Sequence, residues 1–347
     1  MKEASRAQLA EIKNANAATL QVNVGERRSL VESPTEEKIL NTLIKLSKTI
    51  SPKICSLVGH GEKSFSDTEN NGYSSIKAEL ERQAYTITDL NLVQAGKIPA
   101  DCNAVVILGP VKALFEQELK ILKDYLNSGG RALISIDLLL KSKGGTETSP
   151  ELVSLLQEWG IQPENALIID SVSRALNLEP TIPIAPTFSK NHPITSAMEG
   201  NVIAPLSRPL TISKTPPANV LIEAIASTTP NAWGEKNMKS IEAGEVKFDN
   251  GTDIRGPMVV AAAIQGKKAG ASAETRMVVF ATSYFAANQF ARFDKNTDLF
   301  ANSLSWVVGD DNLISIRPKE EGGGLIQLSQ KAGVAIFLTT VIVIPLL

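Results

Sequence analysis

The sequence predicts an α/β domain built on a mostly parallel sheet flanked by helices. Three observations carry this: strongly apolar runs over 54–58, 104–108 and 132–136, amphipathic stretches between them, and Gly or Pro at the junctions. Strands apolar at consecutive positions need cover on both faces, which points to a parallel sheet between helices.

Residues 20–24 and 29–31 flank Gly25-Glu26-Arg27 and read as a hairpin. Ser33-Pro34-Thr35-Glu36 then opens a helix with Ile39, Leu40, Leu43, Ile44 and Leu46 on one face. With a charged helix expected over 1–13, the stretch 1–50 is too small to close a core and is assigned as the remnant of a preceding domain. From Pro52 strand and helix alternate. The run 54–58 ends in Gly59-His60-Gly61-Glu62; a helix is expected over 74–83, a strand over 84–90, and the run 104–108 ends in Gly109-Pro110. Phe115, Leu119, Leu122 and Leu126 recur at helical spacing until Gly129-Gly130 stops the helix, and the strand 132–136 closes on Asp137.

After a polar break at 141–149, a helix is expected over 151–159 and a strand over 167–169. Residues 171–256 are proline-rich and irregular apart from a strand at 220–226, and read as a long insertion of the kind that forms lids or interaction surfaces. Strands resume at 258–264 and 277–281, and a last helix over 297–308 carries Phe300, Leu304 and Val307 on one stripe. The α/β domain is therefore assigned to 51–315, followed by a linker at 316–331 containing Gly322-Gly323-Gly324. Residues 332–347 carry no charge and are apolar all round. As a helix they would rise about 24 Å, short of the roughly 30 Å hydrocarbon thickness, so they read as the start of a truncated transmembrane helix.

Lys and Arg number 35 against 37 Asp and Glu, for a net charge of −2. No basic excess or stripe is present, so a nucleic-acid partner is not expected. With 43% hydrophobic and 21% charged residues, disorder and collagen-like repeats are excluded. Cys55 and Cys102 lie in or beside apolar runs and read as buried structural thiols. His60 and His192 are the only histidines, which leaves few ways to assemble a Cys-His or Ser-His mechanism.

In a parallel sheet ligands sit outside the carboxyl ends of the strands. His60, Glu62, Gly109, Pro110 and Asp137 all fall there and form the candidate site. A His with two carboxylates can serve as acid and base or hold a divalent metal, which makes a metal-assisted hydrolase the alternative reading. The same Gly-His-Gly-Glu run equally suits turn chemistry, with glycines permitting the turn and Glu62 capping it. Trp233, in the proline-rich insertion, is the aromatic most suited to an exposed contact, and a glycan-binding module is a further alternative. Phosphate loops, nucleophile elbows and zinc motifs are absent from the sequence, so neither catalytic residues nor a resident metal or cofactor are assigned.

These stretches resemble the GldG-like family, the auxiliary component of gliding-motility-type ABC transport systems. The resemblance runs through Val58-Gly59-His60-Gly61-Glu62, Ile98-Pro99-Ala100-Asp101 and Leu108-Gly109-Pro110. It continues through residues 118–134, His192-Pro193-Ile194-Thr195, residues 296–306 and Ile314-Ser315-Ile316-Arg317-Pro318-Lys319. It implies an extracytoplasmic domain similar to the class I glutamine-amidotransferase-like (flavodoxin-like) fold, held at the bacterial cytoplasmic (inner) membrane on its periplasmic side. It further implies an ABC-2-type permease and a separate ATP-binding subunit as partners, with membrane attachment through the C-terminal helix. Amidase activity is not carried over, because neither cysteine stands at a strand-to-helix elbow. Residues 280–285, Phe-Ala-Thr-Ser-Tyr-Phe, stand where the family leads one to expect a Gly-Asp-Ser-Asp-Phe-like run, so the acidic positions are gone. The expectation is a non-catalytic auxiliary subunit whose domain mediates partner or substrate interaction.

Overall fold

The computed structural model describes residues 19–24, 27–32, a few positions between 34 and 46, and then 51–140, 146–147, 150–268 and 270–310. Among these, no helix is long and apolar enough to cross a membrane. The expected helix over 1–13, the linker 316–331 and the apolar segment 332–347 lie outside the described residues.

Strands β1 (Thr19–Val24) and β2 (Arg27–Glu32) form the antiparallel hairpin expected around Gly25-Glu26-Arg27. Val22, Val31 and Leu46 bury a small apolar cluster of their own.

The domain begins at β3 (Lys53–Leu57), followed by α1 (Ser74–Arg82), β4 (Thr86–Leu90), β5 (Ala104–Leu108), α2 (Glu116–Asn127) and β6 (Arg131–Ser135). Helix α2 stops as the glycines predict. Gly129 takes φ +103°, and the Gly130 N–H donates back to Tyr125 O at 2.9 Å. Helix α3 (Pro150–Glu158) follows, then β7 (Ile161–Pro163) and β8 (Leu167–Ile169).

Residues 171–256 are more ordered than their prolines suggest. Strands β9 (Thr187–Phe188), β10 (Leu210–Ile212) and β11 (Val220–Ser227) join the main sheet, while β12 (Trp233–Glu235) pairs with β8 on one side and β13 (Ile254–Arg255) on the other in a separate small sheet. Strands β14 (Val259–Gly266) and β15 (Thr275–Phe280) and helix α4 (Asn296–Val308) complete the domain.

The main sheet runs β9-β11-β14-β15-β6-β5-β3-β4, with β10 and β7 attached beside β14. Its central strands β15, β6, β5, β3 and β4 are parallel, in the register Val105 opposite Ala132 and Cys55 opposite Thr88. Counting only these, the spatial order is 2-1-3-4-5, the flavodoxin-like arrangement, which places the switch point between β3 and β5. Beyond β15 the sheet turns antiparallel through β14, β11 and β9, so the complete sheet is mixed.

Every residue of β5 is buried, as an apolar strand covered on both faces must be. Helix α1 packs against α4 and α2 against α3, and each pair covers part of the sheet. Phe280, Phe285 and Phe300 meet at ring separations of 4.5 to 6.2 Å within the core, and Tyr73 closes on Phe300 at 5.8 Å. The His192-Pro193-Ile194-Thr195 run packs on α4: the His192 ring lies 4.8 Å from that of Trp306, and the Asn302 side chain donates to Ile194 O.

Cys55 and Cys102 are joined in a disulfide, where the sequence suggests two buried thiols. The reason is topological. Strand β3 lies between β4 and β5, and Cys102 sits just before β5, so pairing of β3 with β5 brings the two Cα atoms to 5.8 Å, within disulfide range.

Candidate functional site

The candidate residues do collect at the carboxyl edge of the parallel strands, but they divide into two networks. The first surrounds His60. After β3 the chain makes a tight turn in which Gly59 and Gly61 take φ of +128° and +79°, and a side chain at Gly61 would collide with Val111. Glu62 folds back so that its Oε2 accepts the His60 N–H at 2.8 Å, which is the turn role open to it in the sequence. The imidazole is then held from both sides. Its Nδ1 lies 3.3 Å from Glu62 Oε1, outside hydrogen-bonding geometry, and its Nε2 lies 2.9 Å from Glu118 Oε2.

Glu118 went unrecognised among the site residues, although a signal was present. It is the third residue of α2, the position from which a Glu side chain reaches back to the helix start, and its Oε2 accepts the Phe115 N–H at 2.9 Å. The Phe115 ring stands edge-on to His60 at 5.7 Å. All three polar side chains are almost wholly buried.

The second network is centred on Asp137, after β6. Its Oδ1 accepts the Ser283 N–H, and its Oδ2 accepts the Ser283 hydroxyl at 2.7 Å. Ser283 lies in the stretch 280–285 whose acidic positions are missing, so a hydroxyl and a backbone N–H stand beside Asp137 at that strand end. Tyr73 donates its hydroxyl to Ser283 O. Burial, reinforced by Asp137, raises the Tyr73 phenol well above its ordinary value, and the same two causes raise Tyr284. The Lys63 ammonium lies 3.7 Å above the Tyr284 ring; burial lowers its pKa, partly offset by Asp137. Arg208, also buried, donates to Glu164 O, Pro163 O and Asp137 O. Burial lowers its pKa to about 10, against the opposing pull of Glu164 and Asp137.

Gly109 and Pro110 connect the two networks. Gly109 takes φ +61° at the strand-to-helix turn after β5, and a Cβ there would collide with Asp137 Oδ2 and come within 2.6 Å of Ser283 Oγ. The position where an elbow would present a nucleophile therefore carries no side chain and is walled by two others. Among the described residues no group of three His, Cys, Asp or Glu side chains is arranged to hold a metal. His60 engages Glu62 and Glu118, while Asp137 engages Ser283, so the triad of the hydrolase reading is divided between two sets of partners.

Trp233 lies apart from both networks. It is half-buried in β12, packs against a cluster of Leu138, Leu167, Ile169 and Met238, and donates its indole N–H to Glu235. Beside the His60 network is a small cleft of about 160 Å³, lined by Leu92, Val93, Phe115, Gln117, Glu118 and Ile121.

In fold the chain is similar to the mmIFT52 N-terminal domain, at TM-score 0.52 and 17% identity over 74% of this chain and 97% of that one. A protein described as ThuA-like from Bacteroides uniformis ATCC 8492 aligns at TM-score 0.42 and 12% identity, covering 75% and 94% of the two chains. One from Parabacteroides merdae ATCC 43184 aligns at 0.43 and 9%, covering 78% and 94%. No curated protein matches the sequence. The family model described as "ABC-type uncharacterized transport system" matches residues 51–309, the whole of the described α/β domain, and the chain belongs to that family of transport-system auxiliary proteins.

Proposed function

We propose that this chain is a non-catalytic auxiliary subunit of an ABC-2-type transporter of the gliding-motility kind. Its α/β domain stands on the periplasmic side of the inner membrane and mediates contact with the permease, with a separate ATP-binding subunit supplying energy. The observation that carries the reading is the family match over 51–309, and the engagement of Asp137 by Ser283 at the strand edge agrees with it. The Cys55–Cys102 disulfide supports the location, because disulfides persist in oxidising compartments such as the periplasm and are rare in reducing ones. The lack of a phosphate loop in the sequence agrees with an ATPase on another chain.

The test is co-purification. Tagged full-length chain extracted from membranes is expected to bring down a permease and an ATP-binding subunit, and recovery of neither overturns the proposal. Hydrolase assays with and without added divalent metal address the catalytic alternative. Turnover that disappears in both His60→Ala and Asp137→Asn would establish an enzyme instead.

A further inference from the structure

Strand β11 lies beside β14 along its length, but on its other side β9 reaches only Ala226 and Ser227. From Val220 to Ala224 the main sheet therefore has an open edge. The hydrogen bonding fixes which backbone groups line it. Lys267 N–H donates to Asn219 O at 3.1 Å, and across β14 the Ala281 N–H donates to Val260 O at 2.9 Å. Even-numbered residues of β14 thus bond to β15 and its odd-numbered residues to β11. The main chain of Leu221 and Glu223 accordingly faces β14, while that of Val220, Ile222 and Ala224 faces outward. The Val220 N–H is taken by Pro217 O. Among the described residues no hydrogen bond meets the Val220 carbonyl or either main-chain group of Ile222 and Ala224.

Natural sheets blunt such edges with proline, lysine, bulges or a covering segment. The register irregularities of β11 fall between Ala224 and Ser227, at the end that β9 already covers, and Pro216-Pro217 stand before the strand. The stretch between is regular, and it carries Leu221 at 77% exposed. Glu223 projects from the same face as Leu221, two residues on. The Ser189 hydroxyl donates to its Oε1, and among the described residues no cation pairs with it. The edge thus offers a row of main-chain donors and acceptors flanked by one apolar and one acidic side chain.

We propose that β11 takes up one further strand, an extended segment of a partner protein that pairs with Val220–Ala224. The pairing is antiparallel, as it is with both present neighbours of β11. The partner residue opposite Ile222 exchanges both main-chain hydrogen bonds with it. The residues on either side of that one stand opposite Glu223 and Leu221, where a basic side chain matches the first and an apolar one the second. A second copy of this chain fits less well. Two-fold pairing about Ile222 sets Leu221 opposite Glu223 of the second copy and brings the two Glu223 carboxylates to diagonal positions on one face. The inference goes beyond the transporter reading and does not rest on it, because the edge is open whichever protein supplies the strand.

The test uses the full-length chain and the peptide acetyl-Thr-Lys-Val-Leu-Thr-amide, whose Lys, Val and Leu stand opposite Glu223, Ile222 and Leu221. Residue-resolved amide exchange is expected to find Leu221 and Glu223 protected in the free protein, and Ile222 and Ala224 exchanging fast. Adding the peptide should slow Ile222 and Ala224 by about tenfold or more. N-methylation of the peptide valine, whose N–H meets the edge, should weaken binding by about tenfold or more. N-methylation of its leucine, whose N–H points away from β11, should change binding by less than about twofold. Replacing the peptide lysine with glutamate should weaken binding about threefold, and Glu223→Lys should reverse that preference. No slowing at Ile222 and Ala224, equal effects of the two methylations, or a charge preference that Glu223→Lys leaves unchanged overturns the inference. Protection of the Ile222 and Ala224 amides that grows with protein concentration alone also overturns it, since the occupant is then a second copy.

Discussion

Opening the Cys55–Cys102 disulfide should remove about 4 kcal/mol of stability. The two residues are 47 apart in sequence, and in the chain-entropy description a cross-link closing a loop of that length restricts the unfolded chain by about this amount at 25 °C. The bridge ties the central strand β3 to the segment entering β5, so the released loop contains α1 and β4. Urea unfolding of oxidised protein, reduced protein and the Cys55→Ala/Cys102→Ser variant measures the effect. With an m-value of about 3 kcal/mol/M, the midpoint should fall by about 1.3 M on reduction. The double variant should fall slightly further, because Cys55 is buried and the replacement trims its sulfur. A thiol titration under denaturing, non-reducing conditions should find no free thiol on the described pair. Two reactive thiols, or a midpoint shift below about 0.3 M on reduction, would refute the reasoning.

Gly109→Ala meets a left-handed φ and a wall formed by Asp137 and Ser283, so it should cost about 2 kcal/mol or more, read as a melting temperature lower by roughly 4–8 °C. Arg208→Met leaves the carbonyls of Glu164, Pro163 and Asp137 without their buried donor and should cost about 3 kcal/mol by urea unfolding. Tyr73→Phe loses the hydrogen bond to Ser283 O and should cost about 1 kcal/mol at neutral pH. Because the Tyr73 phenol is raised in the folded state, its contribution is complete below the unfolded value near pH 10 and is lost as pH rises through the folded value. Stability of the wild type should therefore fall above about pH 10, and Tyr73→Phe should flatten that fall when unfolding is followed against pH.

The parallel half of the fold was legible because its information is local. Ala104–Leu108 is apolar at every position, and Gly129-Gly130 ends α2 by backbone geometry alone, so pattern and turn chemistry agree with the structure. The antiparallel half was obscured for an equally physical reason. Strands of two or three residues such as Thr187–Phe188 and Leu210–Ile212 are too short to display an alternating pattern, and the surrounding prolines read as loop. Such strands exist because β14 and β11 supply a template, which is a long-range fact. The candidate site divides along the same line. His60, Glu62, Gly109, Pro110 and Asp137 were placed at the strand ends by the rule that governs parallel sheets, yet their partners, Glu118 and Ser283, lie 58 and 146 residues along from His60 and Asp137 respectively. Glu118 is the instructive residue. Read locally it is a helix-start glutamate satisfied by the Phe115 N–H, and that reading is correct for one oxygen. Only the packing of α2 against the turn after β3 delivers His60 to that same oxygen and leaves the other without a donor, so this arrangement belongs to the assembly of two βα turns and to neither sequence segment alone.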